Sequence, residues 1–240
     1  MKLLLNDRHA PITSEIGFLE CDIETAAKAF CLWQNEILEQ HGMRVELTDL
    51  PGNLDSVLLH LLPLTRPIAC RAVFVPTQGR WTAYFDNGAR GTDAASSMAV
   101  LARRLNCRGL RVVCVPNTMP RHLTRDSRGR FGATILECYG SQAVPLRTIY
   151  AANDGGKWRF GESGDRFPFE EIESYQSKRI SNRFTCEILD RYLKHLGVAA
   201  FDEAFYATTD LRRSIMIRKL GRLPETMKEI TRALKPNPEK

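Results

Sequence analysis

The sequence predicts an α+β fold: a mixed, largely antiparallel β-sheet with one β-loop-α-β unit, packed by N-terminal and C-terminal helices. Three observations predict it. The apolar pattern has helical period near both ends of the chain, it switches to β-branched and aromatic runs from Cys70 onward, and an amphipathic helix entered through a glycine-bearing polar loop lies between two of those runs.

Taken in chain order, Asp22 is placed to cap a helix running to about Gln40, with Ala26, Ala27, Phe30, Ile37 and Leu38 on one stripe and Gly42 beyond its end. A short helix follows at about 54–62, stopped by Pro63. The segments CRAVFVP and WTAYFD, separated by Thr77-Gln78-Gly79, read as a hairpin. Met98, Leu101, Ala102 and Leu105 then mark a helix at about 94–106, and Gly109 precedes the strand LRVVCVP. If the strands before and after this helix are neighbours, they run parallel with a right-handed crossover.

Residues 131–139, 146–152 and 157–160 read as an antiparallel meander, the last two strands joined by Asn153-Asp154-Gly155-Gly156. Trp158, Phe160, Phe167 and Phe169 flank the polar loop 161–165, a place for a partner contact or a pocket wall, but most of them are expected in the core. Glu170, Glu171 and Glu173 precede Lys178, Arg179 and Arg183, the order that a helix dipole favours. Thr185 caps a helix over 186–196 with Phe184 and Leu189 as a hydrophobic staple, and Pro224 opens a last helix carrying Met227, Ile230 and Leu234.

A chain of 240 residues, 43% apolar and 26% charged, can bury a full core, which excludes the disordered and fibrous classes. One globular domain over 1–240 is expected, with 168–240 as a helical C-terminal subregion. The net charge of +6 is unevenly placed: residues 1–120 carry 12 basic and 12 acidic side chains, residues 121–210 carry 13 and 13, and the basic end 211–240 carries 9 and 3. Leu3 to Leu5 are followed by Asn6, Asp7, Arg8 and His9, so the apolar stretch is too short for an export signal, and no run is long enough to span a membrane. The seven cysteines form no CxxC pair and read as small buried thiols of a cytoplasmic protein. Cys114 and Cys138 lie in apolar strands, where a reactive thiolate is disfavoured.

The candidate site is the passage from strand to helix within 81–104. An open helix N-terminus carries unpaired amides and partial positive charge, which suits an anion. Asn87, Gly88, Arg90, Gly91, Thr92 and Ser96 are the candidate ligand-binding residues, the glycines letting backbone approach and Arg90 pairing with the anion. Asp86 and Asp93 are the candidate catalytic carboxylates; they also repel an anion, and Asp93 is expected to cap the helix. A turn at Asp86-Asn87-Gly88 followed by a Thr92-Asp93 cap accounts for nearly every one of these residues without a ligand and is the favoured reading of the loop. The five histidines show no HExxH or helical pair, and GxxxxGK[ST], GxGxxG and GxSxG do not occur, so no metal and no cofactor is assigned.

Arg121, Arg125, Arg128 and Arg130 surround a loop tip and form a candidate polyanion contact together with the basic end. Three functions follow as expectations. The first is an interaction or regulatory protein with a protein partner. The second is an enzyme or binder of a small anionic, phosphate-bearing ligand at the 86–93 loop. A nucleic-acid-binding protein using residues 121–130 and the basic end is the third and least favoured.

Overall fold

The computed structural model describes residues 2–120, 129–142, 144–208, 213–221 and 225–230. Among these residues there are eleven strands: β1 (Glu15–Leu19), β2 (Arg44–Leu50), β3 (Leu64–Arg66), β4 (Arg71–Pro76), β5 (Thr82–Asp86), β6 (Gly109–Val115), β7 (Ala133–Tyr139), β8 (Arg147–Asp154), β9 (Lys157–Gly164), β10 (Ser214–Leu220) and β11 (Lys228–Ile230). Four α-helices accompany them among the same residues: α1 (Ile23–Leu38), α2 (Leu54–Leu59), α3 (Ala94–Leu105) and α4 (Cys186–His195). Nine strands form one sheet in the order β2-β10-β4-β5-β1-β6-β7-β8-β9, and β11 pairs with β3 in a second.

The fold is thus α+β with a largely antiparallel sheet. The β-loop-α-β unit is β5-α3-β6, and its strands do run parallel to one another, but they are not neighbours. β1 lies between them and pairs antiparallel with both. Every neighbour pair among the described strands of the large sheet is antiparallel, because the N-terminal strand takes the place that a direct crossover would have filled.

Period-two alternation sends side chains to opposite faces. Phe74, Tyr84 and Ile217 join α1 and α3 on one face, whereas Val73, Phe85 and Met216 join α2 and α4 on the other. Helix α3 sits close because β1 and β6 present Gly17 and Gly109 to it: a Cβ at Gly17 would lie 2.8 Å from the Met98 sulfur.

The local signals act as read. Asp22 accepts from the Thr25 amide at 2.8 Å, Thr185 caps α4, and Phe184 and Leu189 are both buried. Gly155 and Gly156 take φ of 60° and 98° in the β8–β9 turn. Phe160, Phe167 and Phe169 pack against the core.

Other expectations are corrected. Residues 228–230 form β11 instead of a helix, because Ile230 and Lys228 pair with Leu64 and Arg66 of β3; Pro224 and Leu234 lie outside the described residues. The 170–183 region contains only two short 3-10 turns, Ile172–Gln176 and Ile180–Asn182. Cys114 is not a free thiol, since it forms a disulfide with Cys186 that ties β6 to the start of α4. The described part of the basic end belongs to the body: residues 214–220 form β10, between β2 and β4.

Candidate functional site

β5 ends in Asp86, and its carboxylate organises the turn that follows. Oδ1 accepts from the Gly88 amide at 2.8 Å, while Oδ2 accepts from the Asp93 amide at 3.0 Å and from the Tyr84 hydroxyl at 3.2 Å. The Tyr84 oxygen in turn accepts from Ser97 at 3.2 Å. Asn87 is fully buried; its amide nitrogen donates to the Pro63 carbonyl, and its oxygen accepts from the Cys70 and Arg71 amides. Thr92 accepts from the Asp86 amide and donates to the Ile12 carbonyl. Gly91 is held against the N-terminal segment, where a Cβ would come within 2.6 Å of the Pro11 carbonyl oxygen. Among the candidate residues, Asn87 and Thr92 therefore hold the turn, and Gly91 permits its packing.

Asp93 does not cap α3 through its side chain. Its backbone (φ −103°, ψ 86°) makes no side-chain cap bond, and Glu15 of β1 supplies the missing carboxylate by accepting from the Ala94 amide at 2.8 Å. Glu15 is itself held by Arg111 through two contacts of 2.8 and 2.9 Å. Burial nonetheless raises the Glu15 pKa. The next two amides, of Ala95 and Ser96, precede the first intrahelical bonds and have no acceptor among the described residues.

This helix mouth opens on a cavity of about 980 Å³. Arg90, Asp93 and Ser96 line it and are exposed. Asp86, Ala72, Ile217 and Lys219 line it from the sheet, on the face shared by α1 and α3. Register explains that placement: Ala72 of β4 pairs with Asp86 on one side and with Ile217 on the other, and the Lys219 amide donates to the Cys70 carbonyl. Phe30, Trp33 and Gln34 of α1 form another wall, and Arg66 and Lys228 face each other across the β3–β11 pair at the rim.

Five cations, Arg66, Arg71, Arg90, Lys219 and Lys228, meet two carboxylates, Asp86 and Asp93, in that lining. Arg71 donates to the Leu62 carbonyl, and none of the five makes an ion pair among the described residues. Elsewhere Arg104, Arg108, Arg111, Arg147, Arg166 and Arg191 all have carboxylate partners. No protein-family model matches the sequence, and no curated protein or solved structure matches it either. Among the described residues no group of three or more His, Cys, Asp or Glu is arranged to hold a metal ion, and no helix is long and apolar enough to cross a membrane.

The proposed polyanion contact is not assembled in the described part. Arg130 is committed to the Asp7 carboxylate and to the Ser14 hydroxyl at 3.0 Å; Arg121, Arg125 and Arg128 lie outside the described residues. Sequence reasoning missed Arg66, Lys219, Lys228, Trp33 and Gln34 as cavity residues, because strand pairing and helix packing bring them together from distant parts of the chain. The one available signal was the uncompensated charge of residues 211–240.

Burial pushes the Asp86 carboxyl up to about 6 from its ordinary 3.8, opposed by the Gly88 and Asp93 amides and the Tyr84 hydroxyl, with the Asp93 charge adding to the rise. Desolvation lowers the Lys219 pKa, while the Asp86 charge raises it. A carboxyl raised in the fold binds its proton more tightly there than in the unfolded chain. Its stabilising contribution is therefore complete below pH ~4 and lost as the pH rises through ~6, a change of about 3 kcal/mol. Urea denaturation of the parent and of Asp86→Asn should give a stability difference that shifts by about 2 kcal/mol against the parent between pH 4.5 and 7.5. Asparagine also disturbs the Asp93 amide contact, but that cost does not vary with pH. Parallel pH curves would contradict a raised Asp86 pKa.

Proposed function

We propose that this protein binds a small anionic, phosphate-bearing ligand at the mouth of α3. The reading rests on one observation above the others: a cavity lined by five cations, none of them in an ion pair among the described residues, beside two helix amides that have no acceptor among those residues. Arg66 and Lys228 sharpen it, since like charges directly opposite in an antiparallel pair repel and an anion between them removes that cost. Arg90 and Ser96 carry over from the loop, while Arg66, Lys219 and Lys228 extend the cationic wall. An enzymatic version assigns proton transfer to Asp86, supported by its pKa of about 6 and its place in the cavity wall.

The expectation of an interaction or regulatory role gains no particular residue from this geometry. A cytoplasmic location is supported by the five free cysteines and opposed by the Cys114–Cys186 bridge. Pyrophosphate tests the binding reading. At about a hundredfold excess over Kd it should stabilise the protein by ~2.7 kcal/mol and raise Tm by roughly 5–10 °C. Arg90→Ala, at an exposed position, should cut that shift at the same concentration by about half. An unshifted Tm in the parent, or an equal shift in the variant, would count against the site.

A further inference from the structure

Gln34 is 6% exposed, lines the cavity and makes no hydrogen bond among the described residues. Most of the side chain is covered, but its amide atoms are not sealed from solvent and open on the cavity, where a ligand can meet them. Here the carbonyl and the NH₂ are both unused, on the same wall as Trp33, which packs edge-on against Phe30 with ring centroids 5.6 Å apart. Ile68 and Pro67 add apolar surface, and the volume of about 980 Å³ exceeds what a phosphate alone needs. A donor and an acceptor fixed on one planar amide match the edge of a nitrogen heterocycle, as glutamine does when it pairs with a base. An aromatic wall beside it suits the ring face.

We propose that the ligand is a nucleoside monophosphate, its phosphate on the amides of Ala95 and Ser96 with Arg90, and its base edge on the Gln34 amide. This rests on the anion-binding reading of the same cavity and adds the identity of the organic part. Calorimetric titration of the full chain with adenosine 5′-monophosphate, uridine 5′-monophosphate and ribose 5-phosphate separates the two. At least one nucleotide should bind about tenfold or more tighter than ribose 5-phosphate. Gln34→Leu should lower that ratio by about fivefold or more and leave ribose 5-phosphate affinity within about twofold, with the unfolding midpoint of the free variant measured alongside to show that it folds. Equal binding of nucleotides and ribose 5-phosphate, or a ratio unchanged by Gln34→Leu, overturns the nucleotide assignment while the anion site stands. Failure of all three to bind overturns both.

Discussion

Arg147→Ala should lower the unfolding free energy by about 3–5 kcal/mol, the cost of leaving buried charge without its partner. The guanidinium belongs to a residue 1% exposed, and Glu170, which it contacts at 2.8 and 2.5 Å, has a side chain with no exposure. Arg147 also contacts Glu162 and donates to the Ser163 and Gly164 carbonyls at 3.1 Å. Glu170 in turn accepts from the Tyr175 hydroxyl at 2.9 Å and the Phe167 amide at 2.9 Å. This one cation therefore joins the end of β9 to the segment that leads into α4. A Tm lower by roughly 10 °C is the readout for a chain of this size. The pair Arg147→Met with Glu170→Leu should cost less than the sum of the two single substitutions, since neither charge is then left alone. Additive losses would show that the two residues act independently.

Removing the Cys114–Cys186 bridge should have the second largest effect. It spans 72 residues and links two elements on the same face of the sheet. Loop-closure entropy for that span amounts to about 4 kcal/mol in the chain-entropy model, with ~2–4 kcal/mol the usual yield. The denaturant midpoint of the oxidised protein should fall by the corresponding amount in excess reductant, and Cys114→Ala with Cys186→Ala should lie at the reduced value in both conditions. Alkylation of seven thiols in the unfolded, unreduced protein would show that no bridge forms.

The local part of the architecture was legible because each signal needs only neighbours within about four residues: the Asp22 and Thr185 caps, the Phe184–Leu189 staple, the glycine turn before β9 and the helical spacing of Met98, Leu101, Ala102 and Leu105. Strands β4 to β9 were readable for the same reason. What stayed hidden depends on pairing over long separations. β1 was not read, yet it fills the gap between β5 and β6 and supplies Glu15 to the α3 N-terminus, 79 residues away. Lys228 looked like part of a basic helix until its strand found Arg66. Arg130 looked free until Asp7, 123 residues earlier, took it.

The site divides along the same line. The 86–93 turn, with its glycines and its following helix, was visible as one stretch, and so was the competition between ligand and turn for its polar groups. The molecule resolves that competition residue by residue: Asn87 and Thr92 are consumed by the turn, whereas Arg90, Asp93 and Ser96 face the cavity. Asp93 is left free to face it because Glu15 takes over the capping of Ala94, a substitution that no local pattern announces.

Amide NMR during a pyrophosphate titration tests the anion site most directly. The backbone resonances of Ala95 and Ser96 should shift saturably, together with the Arg90 side-chain signal, and Arg90→Ala should weaken the apparent affinity by about tenfold, the effect of losing a charge-assisted contact. Shifts that stay linear with concentration, or that saturate elsewhere while Ala95 and Ser96 remain still, would contradict an anion seated at the α3 N-terminus.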